Sequence, residues 1–240
     1  MTDASTLLKI SDLVAGYGKL DIIQNINFDV NLGEIVSLIG PNGSGKSTLL
    51  KSIFGLTDVH SGNIDFAGID ITRKSPDVIA KLGIAYVPQR ENVFPNLTVQ
   101  ENLEIGGVTL RDNKLTKSEI AKVYQFLPII GEMRARKARS LSGGQRQMLA
   151  LGRAMMLRPR LLLLDEPTAA LAPQVVAEVL SKVKSIRDGG VTILIVEQNA
   201  RESLNISDKG VVLASGKKMF EGAPSEISEN ELIIKMFLGV

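Results

Sequence analysis

The residues Gly40-Pro41-Asn42-Gly43-Ser44-Gly45-Lys46-Ser47 fit the pattern G-x-x-x-x-G-K-[ST] and are followed by Thr48. Glycines at these positions let the backbone turn back on itself, so that successive N–H groups point at one phosphate. A helix beginning inside the motif adds its N-terminal dipole and its unpaired N–H groups. In such a loop Lys46 reaches the β- and γ-phosphates, and the Ser47 hydroxyl binds Mg²⁺. The spacing predicts a nucleotide-binding loop over residues 40–48.

A second group of chemistry-bearing residues lies downstream. Leu161-Leu162-Leu163-Leu164-Asp165-Glu166 is an apolar run that ends in two acids. Pro159 before it and Pro167 after it leave room for a strand but not a helix. A buried parallel strand would place both carboxylates at its carboxyl end, where α/β sheets bind ligands. Asp165 would hold Mg²⁺ directly or through a bound water, and Glu166 would polarise the attacking water. Successive side chains of a strand diverge, which would separate these two roles. Alone, the pair is equally compatible with a strand-end cap; the phosphate loop upstream favours catalysis.

The elements that must carry these groups alternate between strand and helical patterns, with glycine at many junctions. This favours an α/β fold with a largely parallel sheet. Strands are expected at 7–14, 22–30 and 34–39, then a helix over 45–54 ended by Gly55. Residues from about 95 to 158 are mainly helical in pattern, with a polar connection at 111–117. Beyond them come a strand at 160–165, a helix at 173–187 and a strand at 191–197. A hairpin, 210–214 and 217–220, turns at Ser215-Gly216, and a short helix is expected at 229–237. No internal repeat or low-complexity segment interrupts this order.

Composition excludes whole classes of chemistry. The 240 residues contain no cysteine, so disulfides, thiol catalysis and cysteine-bound metals are ruled out. The single histidine, His60, rules out multi-histidine metal sites and is expected in a surface loop. Lys and Arg number 28 against 26 Asp and Glu, a balance that does not argue for a nucleic-acid binder. No apolar run approaches a membrane span, and residues 1–9 lack the pattern of an export signal.

Leu141-Ser142-Gly143-Gly144-Gln145 stands just before an apolar-periodic helix, expected at 147–157. A Ser-Gly-Gly helix start can bind phosphate, although it can equally be a plain N-cap. Taken with the two earlier motifs, in this order, the sequence resembles the ATP-binding cassette (ABC) family over nearly its whole length. The resemblance implies a single cassette domain: a P-loop NTPase (RecA-like) core, an N-terminal antiparallel β subdomain and an inserted α-helical subdomain. The core would occupy about 1–90 and 159–240, the helical part about 91–158. It implies ATP hydrolysis with Mg²⁺, and two nucleotides sandwiched in a head-to-tail dimer. Leu141, Ser142, Gly143, Gly144 and Gln145 would then complete the ATP site of a second subunit. Tyr17 matches the aromatic residue that stacks on adenine. Gln89 matches the glutamine that senses Mg²⁺ and the transporter.

The departures from the family pattern are informative. Ala172 stands where the family usually has Asp, Met148 where an Arg usually follows the signature, and Gln198 where a switch histidine is usual. The Gln198 amide can still donate a hydrogen bond to a phosphate but cannot take up a proton. The strings Gln145-Arg146-Gln147-Met148-Leu149-Ala150, Leu171-Ala172-Pro173 and Val196-Glu197-Gln198-Asn199-Ala200 resemble the second ATPase subunits of branched-chain amino-acid uptake systems. Relatives that import urea or short amides share much of the pattern. The resemblance implies a second ABC ATPase subunit, multi-span permease subunits, an indirect extracytoplasmic binding protein and no nucleic acid. It implies a peripheral position on the cytoplasmic face of the membrane. A non-transport ABC ATPase fits less well: Lys46 and Asp165 are too close in sequence for an intervening coiled coil, and the chain holds one cassette. A phosphoryl-transfer kinase would share the phosphate loop but would not need Ser142-Gly143-Gly144.

Overall fold

The computed structural model describes residues 6–230. The chain begins with a long antiparallel pair, β1 (Thr6–Tyr17) and β2 (Leu20–Asn31). Strands β3 (Ile35–Ile39), β4 (Asp58–Phe66) and β5 (Ile69–Asp70) follow. β4 and β5 join the first pair in an antiparallel sheet of order β2-β1-β4-β5. Asp12 takes a left-handed φ of 48° where the β1–β2 register shifts. The bulge returns Leu13 to the buried face that Leu8 and Ile10 occupy.

The second sheet holds the site. Strands β6 (Ile84–Val87), β7 (Leu161–Asp165), β8 (Thr192–Val196), β9 (Lys209–Ala214) and β10 (Lys217–Gly222) assemble around β3 in the order β10-β9-β3-β8-β7-β6. All neighbours are parallel except the β9–β10 hairpin at the edge. Every residue of β3, β7 and β8 is buried, as expected of strands covered on both faces. The four leucines of β7 therefore form a strand because both faces need apolar cover, despite leucine's modest strand preference.

Nine α-helices surround the sheets in the described residues: α1 (Lys46–Ile53), α2 (Pro76–Lys81), α3 (Val99–Gly106), α4 (Asn113–Phe126), α5 (Pro128–Glu132), α6 (Gly143–Met155), α7 (Pro173–Asp188), α8 (Ala200–Leu204) and α9 (Pro224–Glu229). Strand alternation sorts most of the core into two large clusters, with a third, smaller one of Ile39, Ala200, Leu204, Val212 and Ile227. Leu162, Leu164, Ile193 and Ile195 pack with Leu103, Leu149 and Val183 from the helices and with Leu127 between α4 and α5. Leu163, Leu194 and Leu38 face the other way, onto Leu49 and Ile53 of α1 and onto Ile10, Ile64 and Phe66 of the antiparallel sheet. Among the described residues no helix is long and apolar enough to cross a membrane.

Three local expectations change. The polar stretch at 111–117 is mostly helical, because the Asp112 carboxylate accepts from the Lys114 and Leu115 N–H groups and starts α4. The helix expected at 147–157 begins at Gly143, so Gly143, Gly144 and Gln145 lie inside it. His60 is exposed as expected but lies on β4 and not in a loop; its ring faces the Asp21 carboxylate and the Gly18 carbonyl. A helix not expected from sequence, α9, starts at Pro224, where Pro occupies the first helical turn, and ends at Glu229. The helix expected at 229–237 lies, beyond Asn230, outside the described residues.

Candidate active site at the carboxyl ends of the parallel strands

The phosphate loop joins β3 to α1. Gly40, Gly43 and Gly45 have φ of 147°, 78° and 98°, conformations that L side chains rarely adopt. Close packing adds a second reason at two of them. A Cβ on Gly40 would lie 2.0 Å from the Leu213 carbonyl oxygen, and one on Gly45 would lie 2.6 Å from the Ile23 side chain. The loop is tied to the β9–β10 turn by the Gly216 N–H, which donates to the Ser44 carbonyl at 3.1 Å.

Lys46 is 5 % exposed, and its ammonium donates to the Gly40 and Pro41 carbonyls at 2.8 and 2.9 Å. Burial lowers its pKa, and the Glu166 and Asp165 carboxylates oppose that shift. A buried cation without a bonded carboxylate suits an anion-binding loop. Ser44 Oγ is buried and has no hydrogen-bond partner among the described residues. An orphaned hydroxyl beside a ring of loop N–H groups is what a phosphate-binding cradle requires.

Asp165 ends β7 and is 4 % exposed. Its Oδ1 accepts from the Ser47 hydroxyl at 2.7 Å, and its Oδ2 accepts from the Tyr86 hydroxyl at 3.0 Å. The structure thus brings together Ser47 and Asp165, two residues expected to bind Mg²⁺, across a sequence separation of 118. Tyr86, on β6, was not among the expected residues. Burial first, then the Asp165 charge, pushes its phenol well above the ordinary tyrosine range, so it stays a donor.

Glu166 is the first residue beyond β7 and takes φ 46°. Its side chain therefore leaves Asp165 by a left-handed turn, and not by the strand alternation expected from sequence. Oε2 of Glu166 accepts from the Gln89 amide at 2.6 Å. Gln89, expected near the metal, is thus held against the expected base.

The remaining expected residues lie around this centre. Tyr17 ends β1 with 46 % of its surface exposed. Ser142 is the N-cap of α6 in a capping box: its Oγ accepts from the Gln145 N–H, and Oε1 of the Gln145 side chain accepts from the Ser142 N–H. Leu141 is buried beneath this start. A Cβ on Gly143 would meet Leu171 at 2.9 Å, and one on Gly144 would meet Val175 at 2.4 Å. The signature therefore packs on the segment after Glu166, with Ser142 and Gly143 exposed. Gln198 is exposed beyond β8 and lines a cleft of about 440 Å³ with residues 168–171.

A family model described as ABC transporter matches residues 23–169. This chain belongs to the ABC transporter family. A probable branched-chain amino acid transport ATP-binding protein LivF from Archaeoglobus fulgidus is 44% identical, over 98% of this chain and 99% of that protein. The high-affinity branched-chain amino acid transport ATP-binding protein BraG of Pseudomonas aeruginosa is 36% identical over 97% of this chain and all of that protein. The lipopolysaccharide export system ATP-binding protein LptB of Escherichia coli K12 is 31% identical over 97% of each. A crystal structure of an ABC transporter's ATP-binding cassette in its ADP conformation superposes with a TM-score of 0.88 at 28% identity, covering 98% of this chain and 99% of that one. The P-loop NTPase core and the antiparallel β sheet expected from sequence are those of this ABC cassette fold, and the chain is an ATPase.

Two groups of this ABC ATPase, the half-buried Tyr86 and the buried Glu197, carry no motif signal. Tyr86 precedes Gln89 in an apolar strand, where an aromatic is unremarkable. Glu197 follows β8, is 2 % exposed, and accepts the Thr168 N–H at 3.0 Å. Only the fold reveals that both reach the segment Asp165–Thr168.

Proposed function

We propose that this chain is the ATP-hydrolysing subunit of an importer for branched-chain amino acids. It would act at the cytoplasmic face of the cell membrane with a second ATP-binding subunit and multi-span permease subunits, its cargo delivered by an extracytoplasmic binding protein. The cargo reading is supported by near-full-length similarity to LivF and BraG, which exceeds that to the export-system LptB.

The observation that carries the chemistry is the convergence at the strand ends. Ser47 and Asp165 share a hydrogen bond, Gln89 and Glu166 share another, and Lys46 lies in the loop beside them. In the proposed reaction the N–H groups of residues 43–48, with Lys46 and the Ser44 hydroxyl, hold the ATP phosphates. Tyr17 stacks on the adenine. Ser47, Asp165 and Gln89 would hold Mg²⁺, which when bound neutralises charge on the β- and γ-phosphates. One carboxylate and two neutral oxygens fit a cation that keeps waters and substrate phosphates in its coordination shell. Glu166 accepts the proton of the water that attacks the γ-phosphorus in line with the departing ADP oxygen. Leu141, Ser142, Gly143, Gly144 and Gln145 would complete the site of the second subunit, and the Gln198 amide would donate toward the γ-phosphate.

The Glu166→Gln variant tests the central assignment. It should retain ATP binding and lose hydrolysis by about 10²- to 10⁴-fold, the range typical of a missing general base. Turnover at the wild-type rate would remove Glu166 from this role. Affinity capture of the tagged chain, with identification of the co-purifying permease and its cargo, tests the transport reading. A lipopolysaccharide-export permease in that complex would overturn the importer assignment.

A further inference from the structure

The segment that carries the water-activating carboxylate has little regular structure to hold it. Glu166 and Ala170 lie at φ 46° and 60°, in the left-handed region that side chains disfavour. Such a segment keeps its shape only where neighbours determine it. Two consecutive residues at the end of β8 supply the neighbours. The Val196 carbonyl accepts the Glu166 N–H at 2.9 Å, and Oε1 of Glu197 accepts the Thr168 N–H at 3.0 Å.

Glu197 is an expensive residue to place here. It is buried, and among the described residues no Lys or Arg forms an ion pair with it. The carboxylates on its side of the fold are Glu166, which repels it, and Glu202 of α8, which lines the same cleft. Burial lifts its carboxyl to about 7, so both protonation states are accessible in neutral solution. Both states offer the Thr168 N–H an acceptor oxygen. A merely apolar filler at this position would leave that N–H buried without a partner.

We propose that Glu197 is a positioning residue for hydrolysis: its carboxyl oxygen fixes the Thr168 N–H and, through it, the turn that aims Glu166 at Gln89 and the attacking water. The proposal rests on the reading of Glu166 as the base. It assigns to the residue beside Gln198 a task that the sequence pattern does not mark.

The test compares Glu197→Leu, Glu197→Gln and Glu197→Asp in the full chain, assembled with the subunits that co-purify with it. Leu removes the acceptor at similar size, Gln keeps an acceptor oxygen at the same reach without the charge, and Asp keeps the charge at shorter reach. Glu197→Leu should lose kcat by about ten- to a hundredfold, the scale of a small misplacement of a reacting group. Its equilibrium ATP affinity should stay within about threefold of wild type, because the phosphate loop is untouched. Glu197→Gln should restore kcat to within about threefold, and Glu197→Asp should not. If Glu197→Leu fails to fold, the Gln and Asp variants carry the comparison alone. Wild-type kcat in Glu197→Asp, or a Glu197→Gln variant as impaired as Glu197→Leu, overturns the positioning role. Glu166→Gln assayed in parallel separates the two readings: if it still turns over, the base assignment has failed, whatever Glu197 does.

Discussion

Tyr86 and Glu197 show how single side chains tune the motif residues without belonging to a motif. The Tyr86 hydroxyl donates to Asp165 Oδ2 while Ser47 donates to Oδ1, so the carboxylate is held at both oxygens. On the proposed reading Asp165 holds Mg²⁺, and outer hydrogen bonds that orient such a carboxylate commonly account for about 10- to 100-fold in metal affinity. Tyr86→Phe should therefore raise the Mg²⁺ concentration needed for half-maximal turnover by about tenfold, while the Mg²⁺-free affinity for ATP changes little. Titration of both quantities checks this, and an unchanged Mg²⁺ requirement counts against it. Glu197 gives a prediction about stability. Its folded carboxyl sits near 7 against an ordinary value of 4.5, with burial as the main cause. A raised carboxyl favours the folded state fully below the unfolded value, and that contribution is lost as pH rises through the folded value. Wild type should therefore lose up to about 3 kcal/mol relative to Glu197→Gln between pH 4.5 and about 7.5. Urea unfolding across that range measures the difference, and parallel curves would contradict it.

At the scale of elements, the loop between β6 and α3 depends on one buried amide. The Asn102 side chain accepts the Phe94 N–H at 2.7 Å and donates to the Phe94 and Thr98 carbonyls at 3.0 and 2.8 Å. It thereby fixes the loop that presents Phe94, which also lies under the Arg153 guanidinium at 4.8 Å. Asn102→Ala leaves the Phe94 N–H without its acceptor, while the Phe94 and Thr98 carbonyls keep the backbone N–H groups of Leu97 and residue 102. It should destabilise the chain by about 1–3 kcal/mol, visible as a lowered Tm. Sequence shows why some of this was legible and some was not. Residues 40–48 and Asp165-Glu166 announce themselves because phosphate binding demands particular residues at particular spacings. The strands around them follow from apolar runs bounded by glycine and proline. The start of α4 was missed because a polar stretch looks like a loop until Asp112 is seen to cap it. The left-handed turn at Glu166 was missed because its support, at Val196 and Glu197, lies some 30 residues away in sequence and is adjacent only in the folded sheet. Tyr86 and Glu197 were missed for the same reason: neither spacing nor residue type records a partner supplied by a segment distant in sequence, Asp165 on β7 for one and Thr168 in the turn after it for the other.

At the scale of the whole molecule, no hydrogen bond among the described residues joins the phosphate loop to the exposed start of α6. The phosphate loop follows β3, whereas the exposed start of α6 packs its glycines on Leu171 and Val175. On the proposed reading, a second subunit would bring its own Ser142-Gly143-Gly144 to this loop. That division allows stability and assembly to be separated by one substitution. Ser142 caps α6, and Asp caps a helix about as well as Ser does, so Ser142→Asp should change stability by less than about 1 kcal/mol. It adds a negative charge at the exposed helix start, the place where the second subunit's ATP would present its γ-phosphate. Repulsion there has no counterpart in the isolated chain. Ser142→Asp should thus leave the Tm and the ATP affinity of the isolated chain near wild type, while hydrolysis by the assembled complex falls at least about tenfold. Calorimetry, equilibrium nucleotide binding and turnover of the co-purified complex measure the three quantities. Loss of ATP affinity in the isolated chain would show that the signature serves its own phosphate loop. Undiminished turnover of the complex would show that it serves neither.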